Sequence, residues 1–451
     1  MVIHPLGDQR HLSHLPESGN EIFAFESLVQ FAVDESPSLH GLQMFLNVRI
    51  VQSFRAHDSL RPQGPGGPIM LCAATRGKKE KRHHCLPKEN PVRLLVRSRQ
   101  NSVLCLGKRK QRSIVKKKIR AIQYGIGPIG ASIVKLLREK ESIDIVGAID
   151  SDPAKVGHDL GEILGAPDAP WSVRVSGDAR GVLEQSADVV MHTTSSSLPK
   201  VMDQLLACLD VGSCVVSTCE ELSYPYRTYP ELATKLDQAA KESGVALVGT
   251  GVNPGFVMDK LVVTLAAVSQ RIDHAKALRI VDAAKRRLPL QKKIGAGMTV
   301  EDFRAKVKEG VIKHVGLPES VAMVADSLGL RVDEITETIE PKVAEERVQT
   351  EYLTVEAGRA AGVHQIARGL SEGRELIYLE LQMYVGAKDP ADTVELKGHP
   401  DISLVIPGGS HGDIATASVA VNSIPAILEA PSGLRTSRDL PIGFFSARPL
   451  K

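Results

Sequence analysis

Residues 119–150 read IRAIQYGIGPIGASIVKLLREKESIDIVGAID, and this stretch decides the fold. Ile119-Arg-Ala-Ile-Gln-Tyr124 is a short apolar run of strand type. Gly125-Ile-Gly127-Pro-Ile-Gly130 follows at once, then an amphipathic helical stretch from Ala131 to Arg138. A second apolar strand, Ile143 to Ile149, ends in Asp150, 20 residues beyond Gly130. Strand, GxGxxG, helix, strand and acid in this order specify a dinucleotide-binding unit. Gly125 permits the tight turn, Gly127 lets backbone approach a pyrophosphate, and Gly130 lets the helix pack on its strand. Pro128 and Ile129 open the helix, whose free N–H groups and positive dipole end face the phosphates. Asp150 suits the ribose hydroxyls of NAD, while Ser151 keeps a 2′-phosphate open, so the expected cofactor is NAD or NADP.

Downstream, the pattern repeats. Ala187–His192, Gly212–Ser217 and Val245–Thr250 are strands, and helical stretches at 198–209 and 229–243 separate them. Alternating strands and helices imply a parallel sheet with right-handed crossovers. Ligands of such sheets sit at the carboxyl ends of the strands. Three polar loops fall there: Thr193-Thr-Ser-Ser-Ser197, Thr218-Cys-Glu-Glu221 and Gly251-Val-Asn-Pro-Gly-Phe256. Ser195 and Asn253 are therefore expected at the cofactor. His192 ends a strand facing this cleft but reads more simply as a satisfied core histidine.

From about 258 to 407 the pattern changes to long strands at 277–281, 347–354, 374–385 and 394–398, with helices at 300–309 and 318–327. An α+β substrate and dimerisation domain is expected here, beside a basic cluster (Arg286, Arg287, Lys292, Lys293) that is either a solvated loop or a lid. Residues 408–451 then start a helix after Gly408-Gly409 that returns to the first domain.

Composition sets the outer limits. The hydrophobic fraction of 43% and charged fraction of 24% suit a globular protein, and no apolar run reaches bilayer length. Residues 1–118 carry 20 Lys+Arg against 9 Asp+Glu, whereas the remainder carries 36 against 44. The split marks 1–117 as a different kind of chain, a basic leader rich in turn residues and cationic runs such as Lys108-Arg-Lys110. A disordered extension, or a start codon assigned too far upstream, is the expectation. Organelle targeting is disfavoured by Glu17, Glu21, Glu26, Asp34 and Glu35, and nucleic-acid binding is the least favoured reading. Six cysteines without CxxC or Cys/His spacing point to neither a disulfide framework nor a metal site, and suit a reducing, cytoplasmic compartment.

Several separated motifs also carry a resemblance. Gly125–Gly130, Ser217-Thr-Cys-Glu-Glu-Leu-Ser-Tyr-Pro225, Gly251–Phe256, Arg286-Arg-Leu-Pro-Leu-Gln-Lys-Lys-Ile-Gly295, Gly408-Gly-Ser-His-Gly-Asp-Ile-Ala-Thr416 and Val421-Asn-Ser-Ile-Pro425 occur in that order. Together they resemble the 2,4-diaminopentanoate dehydrogenase and native amine dehydrogenase family, with its dihydrodipicolinate-reductase-like N-terminal domain. The resemblance spans about 118 to 445. It implies reversible oxidative deamination: an amine gives a ketone and ammonia, with hydride passing to NAD(P). It also implies a homodimer and a catalytic glutamate in the motif matched by Cys219-Glu-Glu-Leu222. Glu220 is the better match, since Glu221 more naturally caps a helix; both as plain helix caps is the structural alternative. The helix after Gly409 would then line the pocket, bringing in His411 and Thr416. A true dihydrodipicolinate reductase is disfavoured, because its His-His segment and Lys-x-x-x-Pro-Ser-Gly-Thr loop are missing. A homoserine-dehydrogenase-like chain would carry lysine at Glu220. A non-catalytic NAD(P)-binding protein would have no need of Glu220.

Overall fold

In the computed structural model, residues 118–165 and 170–446 are described; the expectations for 1–117 lie outside these residues. The first sheet begins with β1 (Ile119–Tyr124), β2 (Ile143–Ile149), β3 (Val175–Ser176), β4 (Val189–His192), β5 (Cys214–Ser217) and β6 (Ala246–Gly249). Between them run α1 (Pro128–Arg138), α2 (Leu160–Ile163), α3 (Ala179–Leu183), α4 (Leu198–Asp210) and α5 (Pro230–Glu242). The central strands are buried on both faces, which explains their unbroken apolar runs: Ala121, Ile122, Val189, Val190, Val215 and Val216 are all fully buried. Ile133, Val134 and Leu137 recur at helical spacing on α1 and bury its inner face.

After β6 the chain leaves this sheet. Helix α6 (Lys260–Ala266) leads to β7 (Arg271–Asp282), followed by α7 (Leu288–Lys293), α8 (Val300–Lys308) and α9 (Leu317–Leu328). Then come β8 (Glu334–Val343), a small hairpin of β9 (Val348–Gln349) and β10 (Thr354–Val355), and β11 (Ala360–Ser371), β12 (Arg374–Tyr384), β13 (Ala391–His399) and β14 (Ile402–Pro407). Six of these form a mixed sheet in the order β14-β13-β7-β12-β11-β8. One face of that sheet packs on α9, burying Ala277, Ile377, Leu379 and Leu381 with Val321 and Val324. The strand expected at 347–354 is instead the β9–β10 hairpin, because Thr350 Oγ1 accepts from the N–H groups of Tyr352 and Leu353 and closes a turn. Strands β8, β11 and β14 carry no clear alternating signal in the sequence.

The chain then returns. Helices α10 (Gly412–Asn422) and α11 (Ile424–Glu429) cover the first sheet, α10 lying on α1 through Ala417, Ala420 and Val421. Strand β15 (Gly433–Arg435) adds beside β6, giving a seven-stranded, all-parallel sheet in the order β15-β6-β5-β4-β1-β2-β3. The order reverses between β4 and β1, which opens a crevice above the carboxyl ends of the strands. The expected α/β class, a doubly wound sheet followed by an α+β unit and a returning C-terminal helix, is the fold observed. No helix among the described residues is long and apolar enough to cross a membrane.

Candidate active site

A cleft of about 410 Å³ lies over the ends of β4, β5 and β6 and is roofed by residues of the second sheet and α10. Its cofactor side starts at the glycine turn. Gly125 has φ +89°, and its carbonyl accepts from Thr193 Oγ1 (2.7 Å) and Gln123 Nε2 (2.8 Å), so the turn is held from below. A Cβ on Gly130 would sit 2.1 Å from that carbonyl oxygen, so packing alone forbids a side chain there. Gly127 is different: a Cβ would meet nothing within 4 Å, and its φ of −71° is open to any residue. The protein itself does not need glycine at 127, whereas a pyrophosphate lying against the backbone does. Helix α1 starts there with Pro128 in its first turn and no side-chain cap, leaving its N–H groups free for phosphate. Ile129 lines the cleft.

Asp150 closes the far end. Its carboxylate accepts from Ile126 N–H (2.7 Å) and Asp152 N–H (2.9 Å), and Lys155 Nζ lies 3.2 Å away. Burial works to raise its pKa, but the N–H groups of Asp152 and Ile126 and the Lys155 ammonium outweigh burial and hold the carboxyl below its usual range. Ser195 lines the cleft, its Oγ accepting from Ser197 N–H at the start of α4.

At the other end the two glutamates separate. Glu221 accepts from the backbone N–H of Leu198 at 2.8 Å and so caps α4, rather than the turn in which it lies. Glu220, first residue of the 3₁₀ turn Glu220–Leu222, lines the cleft, and its Oε2 is buried without a partner. Asn253 is 6% exposed, lines the same cleft, and neither side-chain polar atom of its amide has a partner. Native interiors rarely leave such groups unpaired, so their convergence on one cavity marks a ligand site.

The roof supplies charge. Arg279 on β7 is buried against Asp392, and Arg286 is held to Asp413 at 2.7 Å. Of the basic cluster read from sequence, Arg286, Arg287 and Lys293 line the cleft and Lys292 does not. Thr416 also lines it, with Oγ1 near Val252 N–H (3.4 Å). His411 does not. It is exposed, and its Nδ1 faces Ile414 N–H as the cap of α10.

His192 proves to be a satisfied core histidine. Ser217 Oγ accepts from Cys219 N–H, so its hydroxyl proton is free for His192 Nδ1 (2.9 Å), and His192 Nε2 donates to Gln204 Oε1 (2.9 Å). Burial, partly offset by Gln204, lowers its pKa to about 4.

Among the cleft residues that the sequence did not single out are three with ionisable side chains, Arg279, Lys313 and His314. His314 lies in the loop between α8 and α9, where no periodicity singles it out. Its Nδ1 is buried and unpartnered. Burial lowers its pKa, Glu220 pulls it up, and Lys293 and Arg279 push it down.

A doubly wound sheet whose glycine turn is shaped for a ligand, ending at a cleft with an unpaired carboxylate and imidazole, defines a nicotinamide-dependent dehydrogenase using NAD or NADP. Comparison with known proteins gives the family. The profile of the 2,4-diaminopentanoate dehydrogenase C-terminal domain matches residues 256–446. The 2,4-diaminopentanoate dehydrogenase of Acetoanaerobium sticklandii is 31% identical over 332 residues, covering 72% of this chain and 94% of that protein. An amine dehydrogenase of Streptomyces virginiae is 24% identical over 349 residues, covering 72% and 96%. The solved amine dehydrogenase of Mycobacterium smegmatis superposes with a TM-score of 0.65 at 29% identity, over 73% of this chain and 98% of that one. The chain belongs to the 2,4-diaminopentanoate dehydrogenase family.

Proposed function

We propose that the protein catalyses reversible oxidative deamination of an amine that also bears a carboxylate, a 2,4-diamino acid, to a ketone and ammonia. The observation that carries this reading is the buried, unpartnered Oε2 of Glu220, the natural partner of a substrate ammonium. The roof argues for the carboxylate. Arg279 and Arg286 are spent on aspartates, but Lys293 and Lys313 line the cleft with no ion pair of their own among the described residues. A simple alkyl amine would leave those two charges without use.

In this reading residues 118–257 hold the cofactor, 258–407 shape the substrate side, and 408–446 close the cleft. Gly125, Gly127, Pro128, Ile129 and Gly130 bind the pyrophosphate, Asp150 the ribose, and Ser195 and Asn253 the nicotinamide end. Bound NAD(P) supplies a hydride acceptor. Glu220 binds the ammonium and takes its proton, Asn253 orients the reacting end, and the apolar walls (Val252, Ile294, Ile312) exclude bulk water. Thr416 shapes the pocket from α10. The open face of the second sheet, with Leu278, Ile280, Tyr378 and Tyr384 half-buried, suits pairing with a second copy as a homodimer. Cys208, Cys214 and Cys219, all free, suit the reducing cytoplasm.

The test is ammonium-dependent oxidation of NADH or NADPH by the full chain, with 2-amino-4-oxopentanoate compared against simple ketones. Turnover is expected to favour the amino-keto acid and to fall on the order of 10²–10⁴-fold in Glu220→Gln. Equal activity on simple ketones would overturn the carboxylate; unchanged turnover in Glu220→Gln would overturn the mechanism.

A further inference from the structure

The loop carrying His314 is pinned from two sides. Its N–H donates to Gln365 Oε1 at 2.9 Å and its carbonyl accepts from Gln365 Nε2 at 2.8 Å, and Gln365 on β11 is fully buried. Two residues on, Gly316 has φ +107° and lies so close to Pro254 that a Cβ would sit 2.5 Å from the proline Cγ. The backbone of this loop is therefore locked to the second sheet and to the Asn253–Pro254 turn of the first. Such fixation leaves the imidazole in a set place, yet its Nδ1 makes no hydrogen bond and is shielded from water. Leaving a buried polar atom unpaired costs about 1–3 kcal/mol. A site that keeps one is arranged for a partner that arrives with the substrate.

We propose that His314 is the second proton carrier of the reaction, the base that activates water for imine hydrolysis, while Glu220 handles the ammonium proton. The inference rests on the amine dehydrogenase reading above. As the water oxygen bonds to the carbon of the protonated imine, the C=N π pair moves to nitrogen and the water gives one proton to the His314 imidazole. A neutral carbinolamine and an imidazolium result. The imidazolium returns that proton to the carbinolamine nitrogen, the C–N bond breaks with its electron pair going to ammonia, and the hydroxyl proton passes to the departing ammonia. Protonated imine and water thus become ketone and ammonium, with nothing oxidised or reduced. In the amination direction the imidazolium is the acid that expels water.

The charges around the ring fit this duty. Burial, with Lys293 and Arg279, lowers the pKa of the imidazole, whereas Glu220 and the Val315 backbone act the other way and stabilise the imidazolium once formed. Lys313 precedes it in the loop, and Glu337 reaches it only through Gln365. A single carboxylate would have to release the ammonium proton before it could accept one from water. Two groups remove that wait.

The experiment compares wild type, His314→Gln, His314→Ala and Glu220→Gln as full chains, with 2-amino-4-oxopentanoate, ammonium and NADH across pH 6–10. His314→Gln is expected to lower kcat on the order of 10²–10³-fold in both directions and to remove one limb of the pH profile. NADH affinity, read by fluorescence, should stay within about twofold, which also reports the fold. Added imidazole should restore part of the rate in His314→Ala. The imidazole NMR titration of His314 should move to lower pH in Glu220→Gln, a readout that needs no turnover. A His314→Gln enzyme with unchanged kcat and both limbs overturns the assignment of His314 alone. Absence of ammonium-dependent turnover in wild type overturns the functional reading and this inference with it.

Discussion

Lys155 Nζ stands 3.2 Å from Asp150 and 3.3 Å from Asp152, a cation clamped between two carboxylates, one of them the acid proposed to hold the adenosine ribose. Asp150 alone would repel a 2′-phosphate, and Lys155 offsets that repulsion. Lys155→Met is therefore expected to weaken NADPH binding tenfold or more, about 1.4 kcal/mol, while NADH binding changes little. Fluorescence titration with both nucleotides checks it. Equal losses for the two would mean that Lys155 only shapes the loop.

The glycine turn separates folding from binding. Gly127→Ala adds a methyl to open space, so thermal stability should hold while dinucleotide affinity drops. Gly130→Ala places a methyl against the Gly125 carbonyl and should lower both. Differential scanning calorimetry beside nucleotide titration distinguishes the two outcomes.

His192 predicts a pH dependence of stability. Its folded pKa, lowered to about 4, lies below the unfolded value of 6.5, so between these pH values the unfolded chain binds a proton that the native one refuses. Stability from this residue is whole above pH 6.5 and is lost as pH falls toward 4, with about 2 kcal/mol gone by pH 5. Urea unfolding at pH 7.5 and 5.0 should show that slope, and it should flatten in His192→Gln.

Arg279 and Asp392 form an ion pair whose side chains are 3% and 1% exposed. Asp392 also accepts from Ser410 N–H at 2.7 Å, tying β13 to the turn before α10. Asp392→Asn should cost about 3–5 kcal/mol, because it leaves a buried guanidinium without its countercharge. Arg279→Met combined with Asp392→Leu should recover much of that loss, as read by denaturant midpoints.

The first sheet was legible because its signals are local. From Ile119 to Asp150, each residue type serves its own turn, helix or strand. The division between Glu220 and Glu221 was legible for the same reason, although which helix Glu221 caps depends on how α4 folds back. The second sheet hid where tertiary contact overrides propensity. Strand β11 contains Gly362 because a Cβ there would sit 2.2 Å from the Met383 carbonyl oxygen, and it reads as a poor strand for that reason. Strand β8 lies at a sheet edge, acidic and carrying Pro341, as edges tolerate. His314 was invisible because it gains its meaning from Gln365 and Pro254, residues 51 and 60 positions away.

Strand β15 pairs Gly433, Leu434 and Arg435 with Ala246, Leu247 and Val248. The ribosome therefore completes the cofactor-binding half last, after the whole six-stranded sheet has been made. Until residues 433–435 emerge β6 has a bare edge, and before residues 412–422 emerge α1 also lacks the cover of α10. A nascent chain at that stage offers both an unpaired strand and an apolar helix face, the features that draw chaperones or recruit other chains. Clipping near residue 430 would take away β15 and bare the edge of β6 again, while α10 stays in place on α1.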